Sequence, residues 1–178
     1  MYENFIDRLV AKSNKSQLID PGSYLFHEGD RVDAIYIVLD GMIELVRYQQ
    51  DGTSITLQRA ASQSILAEAS IYSELYHCDA IAKLPSRVFM LPKVTFLTLL
   101  QQDKDLSNSW AARLAREVQT ARSQIEILSR KTVSERLDGW LAWKGAELPS
   151  KGAWKGIADQ IGVSPEALYR EIAKRRQG

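Results

Sequence analysis

The order of apolar and polar positions divides the chain into three textures. Residues 3–12 set Phe5, Ile6, Leu9 and Val10 on one helical stripe, so a short amphipathic helix is expected to open the fold. From Leu18 onward, turn signals recur about every ten residues, at Asp20-Pro21-Gly22, Glu28-Gly29-Asp30, Asp40-Gly41 and Asp51-Gly52. Between them lie short runs rich in β-branched and aromatic residues: Tyr24–Phe26, Ala34–Val38, Met42–Tyr48 and Ser54–Leu57. A further pair, Asp79–Lys83 and Arg87–Leu91, is joined at Pro85-Ser86. Short strands at this spacing predict an all-β barrel or sandwich rather than a βαβ sheet. Asp51-Gly52 has the residues of a hairpin turn, where glycine accepts a positive φ.

After Pro92 the period becomes helical. Lys93 to Leu100 predicts a short helix, and from Leu106 to about Arg136 there is neither Pro nor Gly. Within that stretch Ala111, Leu114, Val118, Ala121, Ile125 and Leu128 recur at intervals of 3, 4, 3, 4 and 3, the seam of a coiled coil. One seam could pack on the chain's own barrel. A helix of about 30 residues would be roughly 45 Å long, however, longer than a small barrel covers, which favours pairing with a second copy. Val133, Leu137, Trp140, Leu141 and Trp143 continue on helical spacing, followed by a loop from Gly145 to Gly152.

The last segment carries a compact motif. Ala153–Ile161 forms a first helix burying Ile157, Ala158 and Ile161; Gly162 bends the chain and Val163 fills the corner. Ser164 suits an N-cap, Pro165 the first helical position, and Glu166 the positive end of the helix dipole. Leu168 and Ile172 then bury the second helix at i, i+4. Helix–Gly–helix spacing alone also describes a plain αα-hairpin. Arg and Lys on the outward face favour a helix-turn-helix whose second helix enters the major groove. The candidate DNA-binding residues are Ser164, Glu166, Arg170, Lys174 and Arg175: Arg170 can fork onto guanine, Glu166 can accept from cytosine, and the basic end can neutralise phosphates.

Charge adds one point to this picture. The net charge of +1 is balanced, but residues 131–178 hold nine Lys/Arg against six acids, leaving the first 130 residues at −2. A basic end on a mildly acidic body suggests an anionic partner there, although a solvated helix end has the same composition. With 45% hydrophobic and 25% charged residues the chain has the makeup of an ordinary globular protein. No apolar run approaches a membrane span, and the first residues are too polar for a secretory signal, so a cytoplasmic protein is expected. A single cysteine, Cys78, excludes an internal disulfide and is expected to be a buried, inert thiol. His77-Cys78 invites a haem or metal reading, but neighbours in a strand face opposite ways, and neither cofactor nor metal is expected. No catalytic triad, P-loop or paired carboxylate stands at catalytic spacing, so an enzyme is not expected.

The whole chain resembles the Crp/Fnr family of bacterial transcription regulators. The likeness is carried by Ile19-Asp-Pro-Gly22 and by Phe26-His-Glu-Gly29-Asp30. Tyr36-Ile-Val38-Leu-Asp-Gly41 follows, and then a long helix and a helix-turn-helix in the family's order. The resemblance implies an α+β protein with three parts. These are a double-stranded, jelly-roll-like β-roll of the cyclic-nucleotide-binding-like sensor type (1–104), a dimerisation helix (105–130) and a helix-turn-helix domain (131–178). It further implies a homodimer on a near-palindromic operator, with RNA polymerase as a further partner.

Three departures qualify it. Cyclic-nucleotide binders of the family resemble a Gly-Glu pair that holds ribose, followed by an Arg-Ser/Thr-Ala that holds phosphate. Here Glu68 and Ala80 remain, but Cys78 and Asp79 stand where the phosphate ligands are expected, which disfavours a cyclic nucleotide. An unknown small effector near Glu68, Tyr72, Cys78 and Asp79 is the expected input, with constitutive DNA binding as the alternative. Pro165 replaces the Arg that many relatives carry after the serine, and the sequence as given holds no full β-hairpin wing after the second helix. The competing reading is a ligand-less β-roll dimer that serves as a protein-interaction module without binding DNA.

Overall fold

The computed structural model of the chain describes residues 5–12, 15–145 and 147–176. It divides into two units, Met1–Ala111 and Ala112–Gly178, with the division inside one helix. In the first unit, α1 (Phe5–Val10) buries Ile6 and Leu9 as its stripe predicts; residues 3 and 4 of the expected helix lie outside the described residues. Eight antiparallel strands follow: β1 (Ser16–Ile19), β2 (Tyr24–Phe26), β3 (Ala34–Asp40), β4 (Met42–Tyr48), β5 (Ser54–Ala61), β6 (Ser64–Leu66), β7 (Asp79–Ala82) and β8 (Ser86–Pro92). They form two four-stranded sheets, ordered β1-β8-β3-β6 and β2-β7-β4-β5. This is the expected α+β architecture with an all-β first half.

Alternation along the strands builds one apolar interior. Val38, Ile43, Leu45, Ala60, Leu66, Ala80, Ala82 and Val88 share a buried cluster. Phe26 stacks on Tyr76 at 3.7 Å and on Tyr36 at 5.8 Å. The Tyr76 hydroxyl meets its hydrogen-bonding need by donating to the Ala34 carbonyl at 3.0 Å. Gly41, at φ +89°, makes the tight β3–β4 turn; a Cβ there would lie 2.4 Å from the Pro85 carbonyl oxygen. At the β4–β5 turn, the Asp51 carboxylate accepts from both the amide and the hydroxyl of Thr53, which lowers its pKa.

Two strands lack the alternation that would announce them. β1 is polar and mostly exposed and is recruited through backbone pairing to β8. β6 has three residues, paired with β3. The expected strand at Ser54–Leu57 extends to Ala61, because β5 pairs with all of β4, with a register shift between Leu45 and Val46.

After β8, α2 (Lys93–Gln102) and α3 (Lys104–Ser129) meet at Asp103. Its carboxylate accepts from the Leu106 amide at 2.9 Å and pairs with Arg8 of α1. Both interactions hold its pKa down, the amide bond most strongly. Trp110 stacks near Phe5 and meets Phe96 edge-on. The 26 residues of α3 span about 39 Å. The helix stops at Ser129 rather than continuing toward Arg136. The reason is a capping box: Glu135 N–H donates to the Thr132 hydroxyl, and the Glu135 carboxylate accepts the Thr132 N–H, opening a new helix, α4 (Val133–Lys144).

In the second unit, α5 (Trp154–Gln160) and α6 (Pro165–Arg175) complete a separate core. Ile127, Leu137, Trp140, Trp154, Ile157, Ala158, Ile161, Leu168 and Ile172 are buried together. Trp140 and Trp154 donate their indole N–H groups to Gln160 and to the Pro149 carbonyl, so neither ring is buried with an unmet donor.

Candidate nucleic-acid interface and the ligand cassette

The α5–turn–α6 element follows from local chemistry. The Ser164 hydroxyl accepts the Ala167 amide at 3.2 Å, and Pro165 starts the helix where no N–H is needed. Leu168 and Ile172 are 0% and 2% exposed, anchoring one face of α6. Gly162 turns at φ +64°, and a Cβ there would lie 2.8 Å from Leu128 Cδ2. Arg136 of α4 ties the turn by donating Nη1 to the carbonyls of Ile161 and Gly162, at 3.1 and 3.0 Å. Arg136 was counted in the basic end of the chain; its charge serves instead to cap the turn.

Ser164, Glu166, Arg170 and Lys174 are all exposed, and the last three follow one another at i, i+4 along α6. Glu166 is held ionised: its own amide, then the Ser164 hydroxyl, then the Arg170 charge lower its pKa. Arg170 and Lys174 form no ion pair among the described residues. Together with Val133, Ala167 and Glu171 they line an open groove between α4 and α6. Arg175 is different. Its guanidinium turns to α4, bonding Asp138 at 2.6 Å and Ser134 at 2.7 Å, and also Glu171 of its own helix at 2.8 Å. Its neighbour Arg176 lies over the Trp154 ring, 5.2 Å from the centroid. Sequence reasoning missed Arg136, Ser134 and Asp138. The only signal for Arg175 was its spacing, seven residues after Leu168 and in line with Ile172.

Along α3 the six seam residues are unevenly placed. Ala111, Val118, Ala121 and Ile125 are exposed, Val118 at 49% and Ile125 at 62%; Leu114 is half-buried. Leu128 is 40% exposed and lies over Gly162. The other face of α3 sends Ile127 into the second core.

The four residues expected around an effector do not share one environment. Cys78 is 0% exposed within the apolar cluster of the roll, and burial pushes its thiol pKa up. Its strand neighbour Asp79 instead accepts from the Glu28 amide at 3.0 Å and lies 3.1 Å from His27 Nδ1. Tyr72 is 68% exposed. Glu68 sits in a single 3-10 turn after Ala67, which takes a left-handed φ of +51°. Its carboxylate accepts from Gln58 Nε2 at 3.2 Å, while Gln58 Oε1 accepts the Ala67 amide at 3.4 Å. Gln58 is the residue of the cassette that the linear sequence did not indicate. Its register opposite Leu45, which faces the interior, brings it there.

Comparison with known proteins agrees with this architecture. Residues 17–103 match the family described as "Cyclic nucleotide-binding domain". The global nitrogen regulator of Synechococcus elongatus is 24% identical over 162 residues, covering 87% of this chain and 71% of that protein. The cAMP-activated global transcriptional regulator CRP of Pasteurella multocida is 25% identical over 117 residues, 65% of this chain and 56% of that protein. Among solved structures, FixK2 from Bradyrhizobium japonicum superposes with a TM-score of 0.71 at 17% identity, covering 92% of this chain and 84% of that one, a likeness of fold. No helix among the described residues is long and apolar enough to cross a membrane. The roll matches the cyclic nucleotide-binding domain family, and the chain, with its long helix and α5–turn–α6 element, is similar to relatives named as transcription regulators of the Crp/Fnr type.

Proposed function

We propose that the chain is a homodimeric, sequence-specific DNA-binding regulator that acts without a cyclic nucleotide. The observation that carries this is the exposed row Glu166, Arg170 and Lys174 on a helix whose opposite face is anchored by Leu168 and Ile172. A fixed acceptor and a free guanidinium on one helix face suit base edges in the major groove, and Lys174 suits a phosphate. Pairing through α3 is supported by the solvent-facing Val118 and Ile125, apolar groups on a helix too long to be covered by one small unit.

Independence from cyclic nucleotides is supported by Cys78. A cyclic phosphate needs charge-assisted donors, and this position offers a thiol inside an apolar cluster. The input to the regulator is proposed at the roll, near Glu68, Tyr72, Cys78 and Asp79. One observation favours the second reading, constitutive DNA binding: Gln58 already occupies the Glu68 carboxylate.

Selection from a pool of random duplexes by the purified protein tests the reading. Enrichment of a two-fold-related sequence is the expected result. Retention of no duplex at about 50 mM salt, where electrostatic attraction is strong, would leave the protein-interaction module as the surviving account.

A further inference from the structure

Arg175 is exposed but follows Leu168 and Ile172 along one side of α6, and all three of its guanidinium nitrogens are engaged within the protein. Nη1 donates to Asp138 Oδ1 at 2.6 Å, and Nε to Glu171 Oε1 at 2.8 Å. Nη2 donates to the Ser134 hydroxyl at 2.7 Å and to its carbonyl at 3.0 Å. The Ser134 hydroxyl also bonds Glu171, and these two partners hold the Glu171 pKa down, Arg175 most strongly. Ser134 and Asp138 stand one turn apart on α4, as Glu171 and Arg175 do on α6. The four residues therefore close a polar clamp across the two helices. Two carboxylates surround one guanidinium, so the clamp presents a net negative charge to anything outside it.

We propose that Arg175 is a positioning residue. It fixes the rotation of α6 on α4, and thereby the direction in which Glu166 and Arg170 face, instead of contacting a phosphate. A planar guanidinium suits this clamp because its three nitrogens, spread in a rigid fork, serve separate partners, whereas an ammonium would have to make its bonds from a single nitrogen. The proposal rests on the DNA-binding reading for its consequence, and on the clamp geometry alone for its cause.

The test compares the wild type with R175Q, R175K, D138A and K174A on the selected duplex and on a random one across a salt series. R175Q and D138A are expected to lose affinity for the selected duplex about threefold to tenfold, with an unchanged salt slope and little loss on random DNA. R175K recovers only part of that loss. K174A, the phosphate control, is expected to lower the slope by about 1 and to weaken both duplexes alike. D138A is decisive: removing a carboxylate near DNA tightens binding if charge alone matters, and weakens it if the clamp orients α6. An R175Q protein that behaves like K174A, beside a D138A protein that binds more tightly, overturns the proposal. A thermal-unfolding cycle over R175Q, D138A and the double variant separates the two readings. Non-additive shifts with no DNA binding by the wild type sink the regulator reading alone, and strictly additive shifts sink the clamp.

Discussion

At the scale of single residues, the base-reading assignment turns on Arg170. It is exposed, lies one turn beyond an ionised Glu166, and projects from a helix held on its other side by Leu168 and Ile172. A guanidinium so placed can make two parallel bonds to guanine O6 and N7, a contact that discriminates by about 1–3 kcal/mol. Arg170→Ala is therefore expected to lose preference at one base pair in each half-site while keeping most of its affinity for random DNA. Competition between the selected duplex and single-base variants measures this; uniform weakening across all variants would show that Arg170 holds phosphate instead. Much of this face was legible in the linear sequence, because Ser164-Pro165 fixes where α6 begins and Leu168 and Ile172 fix which side is buried. The same rule, carried one more turn, aligns Arg175 with Leu168 and Ile172, on the side from which it bonds Asp138 and Ser134 of α4. Its chemical type had suggested the outer face, and geometry prevailed over type.

At the scale of elements, two helix junctions carry expectations. The α3–α4 break has no Pro or Gly to announce it; its signal is Thr132 three residues before Glu135, a capping box. The Thr132 amide and hydroxyl both donate to the Glu135 carboxylate, and they lower its pKa from the ordinary 4.5. A depressed folded pKa means that the ionised carboxylate stabilises α4 above about pH 4.5 and that this contribution is lost as pH falls through the lower, folded value. Glu135→Gln keeps the box but cannot titrate. The stability gap between wild type and Glu135→Gln should narrow on acidification in chemical denaturation at stepped pH; a gap independent of pH would remove Glu135 from the account. Thr132→Ala is expected to cost about 1 kcal/mol at any pH.

The α3 seam makes a second prediction at this scale. Ile125, 62% exposed, would be covered in a dimer, and Ile125→Asp would place a charge opposite its own copy. Sedimentation is expected to change from dimer to monomer with no loss of helix content, whereas a wild type that sediments as a monomer would refute pairing through α3. The strands show where pattern reading runs out. β3 and β4 were legible from apolar runs, but β1 is polar and exposed, and only the edge of β8 makes it a strand. Gln58 was hidden for a related reason: its position depends on the β4–β5 register shift, which no local composition encodes.

At the scale of the whole chain, the question is whether a fold of the cyclic-nucleotide-binding type retains that ligand. Three features argue jointly that it does not. The inner face of β7 and the residue before it presents Cys78, Ala80 and Ala82 to the apolar cluster, where a phosphate would need cations. Asp79, on the other face, is committed to the Glu28 amide and to His27. Glu68 already receives Gln58. Calorimetric titration with cyclic AMP and cyclic GMP is expected to give no heat up to about 1 mM, and neither nucleotide should change affinity for the selected duplex. Restoring the cation alone should not restore the site. Cys78→Arg would put a guanidinium where the present side chain is 0% exposed within an apolar cluster, and should destabilise the roll by about 3 kcal/mol or more instead of creating a receptor. Micromolar binding of either nucleotide by the wild type would mean that the roll opens around Cys78, and it would overturn the proposed independence from cyclic nucleotides.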